Sequence, residues 1–318
     1  MAPHGWLIVD KPLGLGSTAV VSAVKRALRE GGYPRLKVGH GGTLDPLASG
    51  VLPVAIGEAT KLAGRMLDSD KVYEFTIAFG AETSTLDREG EVVAASEVRP
   101  TLAAVEAVLP RFTGAIEQVP PTYSALMIDG RRAYDRARAG EAVEMKTRAV
   151  TITSLSVRAE LVEALPLALE EKKDSPSTSS GRAVDEITLT AHVSKGTYIR
   201  SLARDIALAL GTVGHVSMLR RTKAGPFTLA SAIALDKLAG LAKARELEEA
   251  ILPLTAGLDD IPALIVTPAQ AAALRQGREL TGVTQAQGPC MAIDENQIPV
   301  ALVEASGEIV RVVRGFNL

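Results

Sequence analysis

A chain of 318 residues, 47% of them hydrophobic, can bury a sizeable core, and its length suggests one large domain with a smaller one. A single cysteine, Cys290, excludes an internal disulfide framework and a cysteine-based zinc site, and the four histidines, His4, His40, His192 and His215, lack ligand spacing, so no metal is expected. The net charge of −2 argues against a nucleic-acid partner only until its distribution is read. Segments 158–190 and 236–318 are acidic, and the remainder carries an excess of five positive charges. These cluster at Arg131, Arg132, Arg136 and Arg138 and again at Arg220, Arg221 and Lys223. Such clusters can bind polyphosphate whatever the global sum, and taken alone they are more often just a solvated face.

In chain order, GWLIVDKPLG reads as a short strand ending at a Lys-Pro turn. Ser17 or Thr18 then caps a helix to about Glu30, with Val20, Val21, Val24, Ala27 and Leu28 on one face and Gly31-Gly32 as the stop. VGHGGTLDPLASG, residues 38–50, has too many glycines for a core strand, yet it runs straight into the apolar VLPVAIG; it is read as a loop that brings backbone close to something, with one acid, Asp45. In YEFTIAFG, Tyr73, Phe75, Ile77 and Phe79 alternate with smaller or polar residues, the pattern of a strand with one buried face. A helix is expected at 101–110, strands at TRAVTITSLSV and EITLTAHV, and between them a flexible surface insertion at about 162–184 around KKDSPSTSSGRA. TYIRSLARDIALALG has Ile199, Leu202, Ala203, Ile206 and Leu210 at helical spacing. From about 236 an Ala/Leu/Glu helix runs through Leu252, followed by short strand-like pieces, ALIVT, CMAID, PVALVEA and EIVRVVRGFNL.

Strands and helices mix without a regular βαβ rhythm, so the fold class is α+β, with a mixed, mostly antiparallel sheet flanked by helices and a small β-rich C-terminal module. The expected division is 1–240 and 250–318. The N-terminus lacks a basic region followed by a long apolar run, and no stretch approaches roughly 18 uninterrupted apolar residues, so a cytoplasmic location without membrane attachment is expected.

Asp45 is the one acid of the 38–50 stretch. Pro46 restricts the residue before it to extended conformations and so fixes how the acid is presented. Read by itself, the stretch is also compatible with an Asx-type turn in which Asp45 bonds its own backbone. A phosphate-binding NTPase is excluded, because the spacing GxxxxGK[ST] is absent. A uridine C5-methyltransferase would need a cysteine nucleophile, and Cys290 lies in the C-terminal module.

Five motifs in order, VGHGGTLDPLASGVLPVAIGEATK, DSDKVYEFTIAFGAETSTLDREGEV, QVPPTYSALMIDGRRAYDRARAGE, VSKGTYIRSLARDIALALG and VSMLRRTKAGPF, resemble the bacterial tRNA pseudouridine synthase B family over most of residues 5–235. The piece ending VVRGFNL is similar to the PUA-like RNA-binding module of some members. The sequence departs from the family pattern at Gly16, at Gly42 and in the insertion. The resemblance implies a pseudouridine synthase fold. It also implies isomerisation of the T-loop uridine at tRNA position 55, without a cofactor, by a monomer that needs no obligate protein partner.

The same resemblance implies roles. Asp45 is the essential nucleophile or base, and Gly39, Gly41 and Gly42 let the backbone approach RNA. His40 supports the flipped conformation of the extruded uridine, which costs a few kcal/mol to unstack. Tyr73 stacks on the uracil and helps remove the C5 proton, Arg200 pairs with the catalytic aspartate and keeps it ionised, Leu219 lines the uracil pocket, and Lys11 supports the loop. Core packing remains the plain alternative for His40, Tyr73 and Leu219. Arg200 and Arg204, four apart on one helical face, repel mildly and suggest nearby anions. A non-catalytic RNA binder or tRNA-folding chaperone is the competing class. Asp45 separates the two, since a pure binder gains nothing from an acid beside phosphates, and a chaperone role is compatible with catalysis.

Overall fold

The computed structural model describes residues 3–158 and 183–318, which form two compact units. The first gathers Met1–Pro46, Gly50–Asp68 and Ala224–Leu318, and the second Leu47–Ser49 and Ser69–Lys223. The expected insertion lies, except for its last two residues, outside the described residues.

In the first unit, β1 (Gly5–Lys11) is almost wholly buried, as its run of apolar residues requires, and α1 (Ser17–Glu30) follows. The buried face of α1 is the one read from its periodicity, and Gly31 ends it. Its cap differs from expectation. Gly16 is the N-cap residue and makes no side-chain bond, while Ser17 is the first helical residue, buried, with its hydroxyl committed elsewhere. Then come β2 (Val38–His40) and β3 (Ala48–Ile56). β3 runs antiparallel to β1 from Gly5 opposite Ile56 to Lys11 opposite Gly50, and β2 adds antiparallel to β3.

Two late segments complete this layer. Ile233–Ala234 pairs parallel with Val9 and Asp10, and Ile251–Pro253 pairs antiparallel with Gly5–Leu7. The helix expected through Leu252 stops earlier, at Ala244, because Arg245 takes the left-handed conformation (φ +59°) and frees the chain to return as a strand. A core of Trp6, Ile8, Met66, Phe227, Leu254 and Phe316 forms around these elements. The Trp6 indole donates to the Leu254 carbonyl at 3.1 Å, which satisfies its one polar atom while the ring is buried.

The C-terminal residues of the same unit make a five-stranded sheet in the order Ala263–Ile265, Gln287–Ile293, Pro299–Ser306, Ile309–Gly315, Leu280–Thr281. It has its own apolar cluster, including Val266, Leu274, Val300 and Val303. Its helix, Pro268–Arg275, starts at a capping box in which Thr267 and Gln270 satisfy each other's backbone N–H groups. Cys290 is buried there, and burial pushes its thiol pKa up, so it behaves as a small apolar residue. The chain end docks on the 58–61 turn: Lys61 Nζ donates to Gly315 O at 2.9 Å and Asn317 N to Glu58 Oε2 at 2.8 Å.

The second unit is an antiparallel sheet built on β4 (Lys71–Phe79). Glu186–Val193 pairs with β4, Arg148–Val157 with that strand, and Gly114–Gln118 with the next, while Gly214–Ala224 flanks the other side of β4. Phe75, Ile77 and Phe79 are buried on one face, and Tyr73 packs partly against the same cluster. Helix Ile199–Ala209 covers that face through Ile199, Leu202, Ala203 and Ile206. Each large apolar side chain buried here contributes about 1.5–3 kcal/mol. The helix expected at 101–110 is Leu102–Val108, capped by the Thr101 side chain and extended by a tighter turn through Phe112.

Candidate active site

In the first unit, the glycine-rich stretch leaves the sheet in a defined way. His40, half-buried, ends β2 opposite Val54, and Gly41 N donates to Pro53 O at 2.8 Å before the chain turns through Gly42 at φ +148°, a region that favours glycine. A Cβ on Gly41 would stand 2.7 Å from Met66 Cγ, so the absence of a side chain here lets Met66 pack against the backbone. Gly39 differs, since a Cβ there meets no heavy atom within 4 Å.

Asp45 is held through its neighbours. On one side Leu44 is fixed twice by Ser17, whose Oγ accepts from Leu44 N at 2.8 Å and donates to Leu44 O at 3.0 Å. On the other, Pro46 O accepts from Gly14 N at 2.8 Å and from Lys11 Nζ at 3.3 Å. Lys11 is 0% exposed and also donates to Leu15 O at 2.6 Å and Pro12 O at 3.1 Å, so the buried ammonium is hydrogen-bonded while it ties the loop down. The half-buried Asp45 therefore has a fixed backbone whatever its carboxylate does.

In the second unit, Arg200 opens helix Ile199–Ala209 and is 6% exposed. Its Nη1 donates to Thr85 O at 2.9 Å and lies 3.4 Å from Asp87 Oδ2, and its Nη2 donates to Tyr123 O at 3.0 Å. Asp87 is itself oriented, accepting at Oδ1 from Thr85 Oγ1 at 2.5 Å and from Glu89 N at 3.0 Å. The turn before Arg200 is locked by Gln118, which accepts from Tyr198 N at 2.8 Å and donates to Tyr198 O at 3.1 Å. Asp87 and Gln118 are the residues that sequence reasoning missed. The only signal was TSTLDREG, whose composition is that of an ordinary polar turn.

Tyr73 receives Arg221 Nη1 at 3.5 Å from its hydroxyl oxygen, and Leu219, two residues earlier on the same strand as Arg221, packs partly on the same apolar cluster. Arg221 is only 1% exposed, so it does not belong to a phosphate-facing surface cluster. Arg220 Nη1 donates to Ser49 Oγ at 3.3 Å. Arg204 turns to Asp205 at 2.8 Å, so the anions implied by the 200/204 pair include protein carboxylates, Asp87 and Asp205. Burial pushes the Asp205 carboxyl up, against the opposing pull of Arg204.

The arginines of 131–138 are likewise engaged locally. Glu141 takes Arg131 at 2.7 Å and Arg136 at 2.8 Å, which holds the glutamate below its ordinary pKa, and Arg132 and Arg138 lie over the Tyr134 ring at 6.0 and 5.6 Å. Among the described residues, no group of three or more His, Cys, Asp or Glu side chains is arranged to hold a metal ion, and no helix is long and apolar enough to cross a membrane.

Comparison with known proteins gives this geometry a family. Residues 29–199 match the model of the TruB family pseudouridylate synthase N-terminal domain, and residues 200–259 that of the tRNA pseudouridylate synthase B C-terminal domain. The chain is 60% identical to the tRNA pseudouridine synthase B of Novosphingobium aromaticivorans, over 99% of this chain and 97% of that protein, and 58% identical to its counterpart in Zymomonas mobilis, with the same coverage. Its fold is similar to a chain in the crystal structure of a Cbf5-Nop10-Gar1 complex, with a TM-score of 0.70 and 25% identity over 99% of this chain and 85% of that one. The chain belongs to the TruB family of tRNA pseudouridine synthases.

Proposed function

We propose that Asp45 carries the isomerisation of uridine 55 in the T loop of tRNA, the reaction of this family. The N1–C1′ bond of the uridine breaks, the uracil turns in place, C5 joins C1′, and the C5 proton leaves. All non-hydrogen atoms of the product come from the substrate, and the freed N1 takes up a proton as C5 loses one, so the enzyme has to supply a carboxylate at a fixed position, a surface for the detached ring and a route for proton exchange. The observation that carries the reading is the double clamp on Leu44 and Pro46, which fixes the backbone that presents the intervening carboxylate. Preorganisation of this kind lowers the barrier because the reacting group needs no reordering at the moment of reaction.

Tyr73 is assigned to stacking and proton removal, with Arg221 orienting its hydroxyl, and Leu219 to the apolar lining of the base pocket. His40 is assigned to the space vacated by the extruded nucleotide. Arg200, braced on Asp87, supplies the positive potential that favours an ionised aspartate. The C-terminal sheet is read as a PUA-like RNA-binding module, 250–318, beside a catalytic region, 1–240, and the chain is read as acting alone and as a monomer. Release of tritium from tRNA labelled at uridine C5 tests the assignment. Stoichiometric release by the parent enzyme is the expected result, and none at all would sink it.

A further inference from the structure

The first unit has a cleft that none of the assigned residues uses. It has a volume of about 700 Å³ and lies between the second half of α1 and the segment that leads into β2. Four cations line it, Lys25, Arg29, Arg35 and Lys37, and no carboxylate does. All four are exposed, and among the described residues none has an acidic partner within ion-pair distance. Other clefts of the molecule are built differently: the one beside Leu155 includes Glu106, and the one beside Pro120 sets Glu82 against Arg204.

Two physical features argue against an ordinary solvated face. Lys25 and Arg29 stand one turn apart on α1, where like charges repel, and the negative end of the helix dipole accounts for Arg29 in the last turn but not for Arg35 and Lys37 beyond it. The segment between is also held in place. Tyr33 N donates to Leu28 O at 3.0 Å, its ring lies over Gly31, where a Cβ would stand 2.8 Å from Cε2, and Lys37 O accepts from Gly57 N at 2.8 Å. The result is an ordered cationic channel whose floor, Val38 and Gly39, runs directly into His40.

We propose that this cleft binds backbone phosphates of the substrate tRNA, a contact set additional to the residues around Asp45. The inference rests on the function proposed above. Unpaired cations along a groove whose backbone is held match a polyanion with regularly spaced charges, and the open position at Gly39 leaves the floor accessible. The test is filter binding of transcribed tRNA by the full chain between about 50 and 200 mM salt. Each cation that neutralises a phosphate contributes about 0.7–0.9 to the log–log salt slope, equivalent to about five- to eightfold in affinity near 0.1 M salt.

The combined variant Lys25→Gln, Arg29→Gln, Arg35→Gln, Lys37→Gln should flatten the slope by about 3 and weaken binding by roughly 10³-fold. Arg111→Gln, an exposed cation of the second unit, should leave the slope unchanged. The charge-preserving set Lys25→Arg, Arg29→Lys, Arg35→Lys, Lys37→Arg should keep the parent slope, which separates lost charge from lost fold. A combined glutamine variant whose slope stays within about 0.5 of the parent overturns the cleft, provided the parent releases tritium from labelled tRNA. A parent that releases none overturns the function itself and, with it, the identity of the ligand.

Discussion

The loop around Asp45 and the start of the helix that carries Arg200 both place a charged residue, and each shows a different device. At Asp45 the backbone is held from both sides, with Ser17 on Leu44 and Lys11 and Gly14 on Pro46. At Arg200 the bonds fall on the side chain itself, whose guanidinium meets two carbonyls and a carboxylate. The backbone that carries the acid is placed by bonds to its neighbours, whereas the guanidinium is placed by bonds to its own nitrogens. The difference teaches where each is vulnerable: the first to loss of its own chemistry, the second to loss of its partner.

The largest effect should come from Asp45→Asn, which keeps the shape and the clamps and removes the charge. Single-turnover conversion should fall by more than about 10⁴-fold, about 5.4 kcal/mol of barrier, while tRNA binding stays equal or tightens because a negative charge near phosphates is gone. Conversion within about tenfold of the parent would break the comparison at its first term. Arg200→Met comes next. It leaves Asp87 without its cation in a buried setting, which should cost about 3–5 kcal/mol of stability in chemical denaturation, together with turnover. A stable Arg200→Met protein would mean that Asp87 has other adequate support.

Ser17→Ala removes both bonds to Leu44 and leaves a buried N–H unsatisfied, for about 1–3 kcal/mol. It should lower kcat more than it raises KM, since the loop loses definition rather than a substrate contact. The smallest effect concerns Glu58, where burial raises the carboxyl pKa but Lys61 and the Asn317 N–H outweigh it and hold the value below that of an ordinary glutamate. The folded value is depressed, so this stabilisation is present above the unfolded pKa and disappears as pH falls through the folded one. Glu58→Gln should therefore melt earlier than the parent at neutral pH, by about 1 kcal/mol, and the gap should close near pH ~4 and below. An equal gap at both pH values would show that charge is not what holds the tail.

The sequence made one side of the comparison legible and hid the other. Periodicity placed α1 and the strand at 71–79, where burial is written locally, and β-rich composition placed the strands at 148–157 and 186–193. Asp45 stood out for the same reason, a lone acid among glycines ahead of a proline. Asp87 did not, since its meaning comes from Arg200, 113 positions later, and nothing in a polar turn records a partner so far away. The role of Ser17 was misread because a serine before a helix has a strong local explanation, capping, and the tertiary bond to Leu44 overrode it. The arginines of 131–138 drew attention as a dense run, yet Glu141 engages two of them, while the unpaired cations at 25–37 are spread too thinly to catch the eye.

The bond from Trp6 to Leu254 spans 248 residues, and its consequence is one of timing. At roughly 5–20 residues per second of synthesis, the indole waits some 12–50 s on the ribosome before the turn whose carbonyl accepts its hydrogen bond has been made. The second unit, contiguous from Ser69 to Lys223 but for a three-residue contribution, can collapse within that interval. Nascent chains of this protein can therefore pair β1 with β3 early, yet they leave the Trp6 indole without its acceptor until after the middle of the chain has been made.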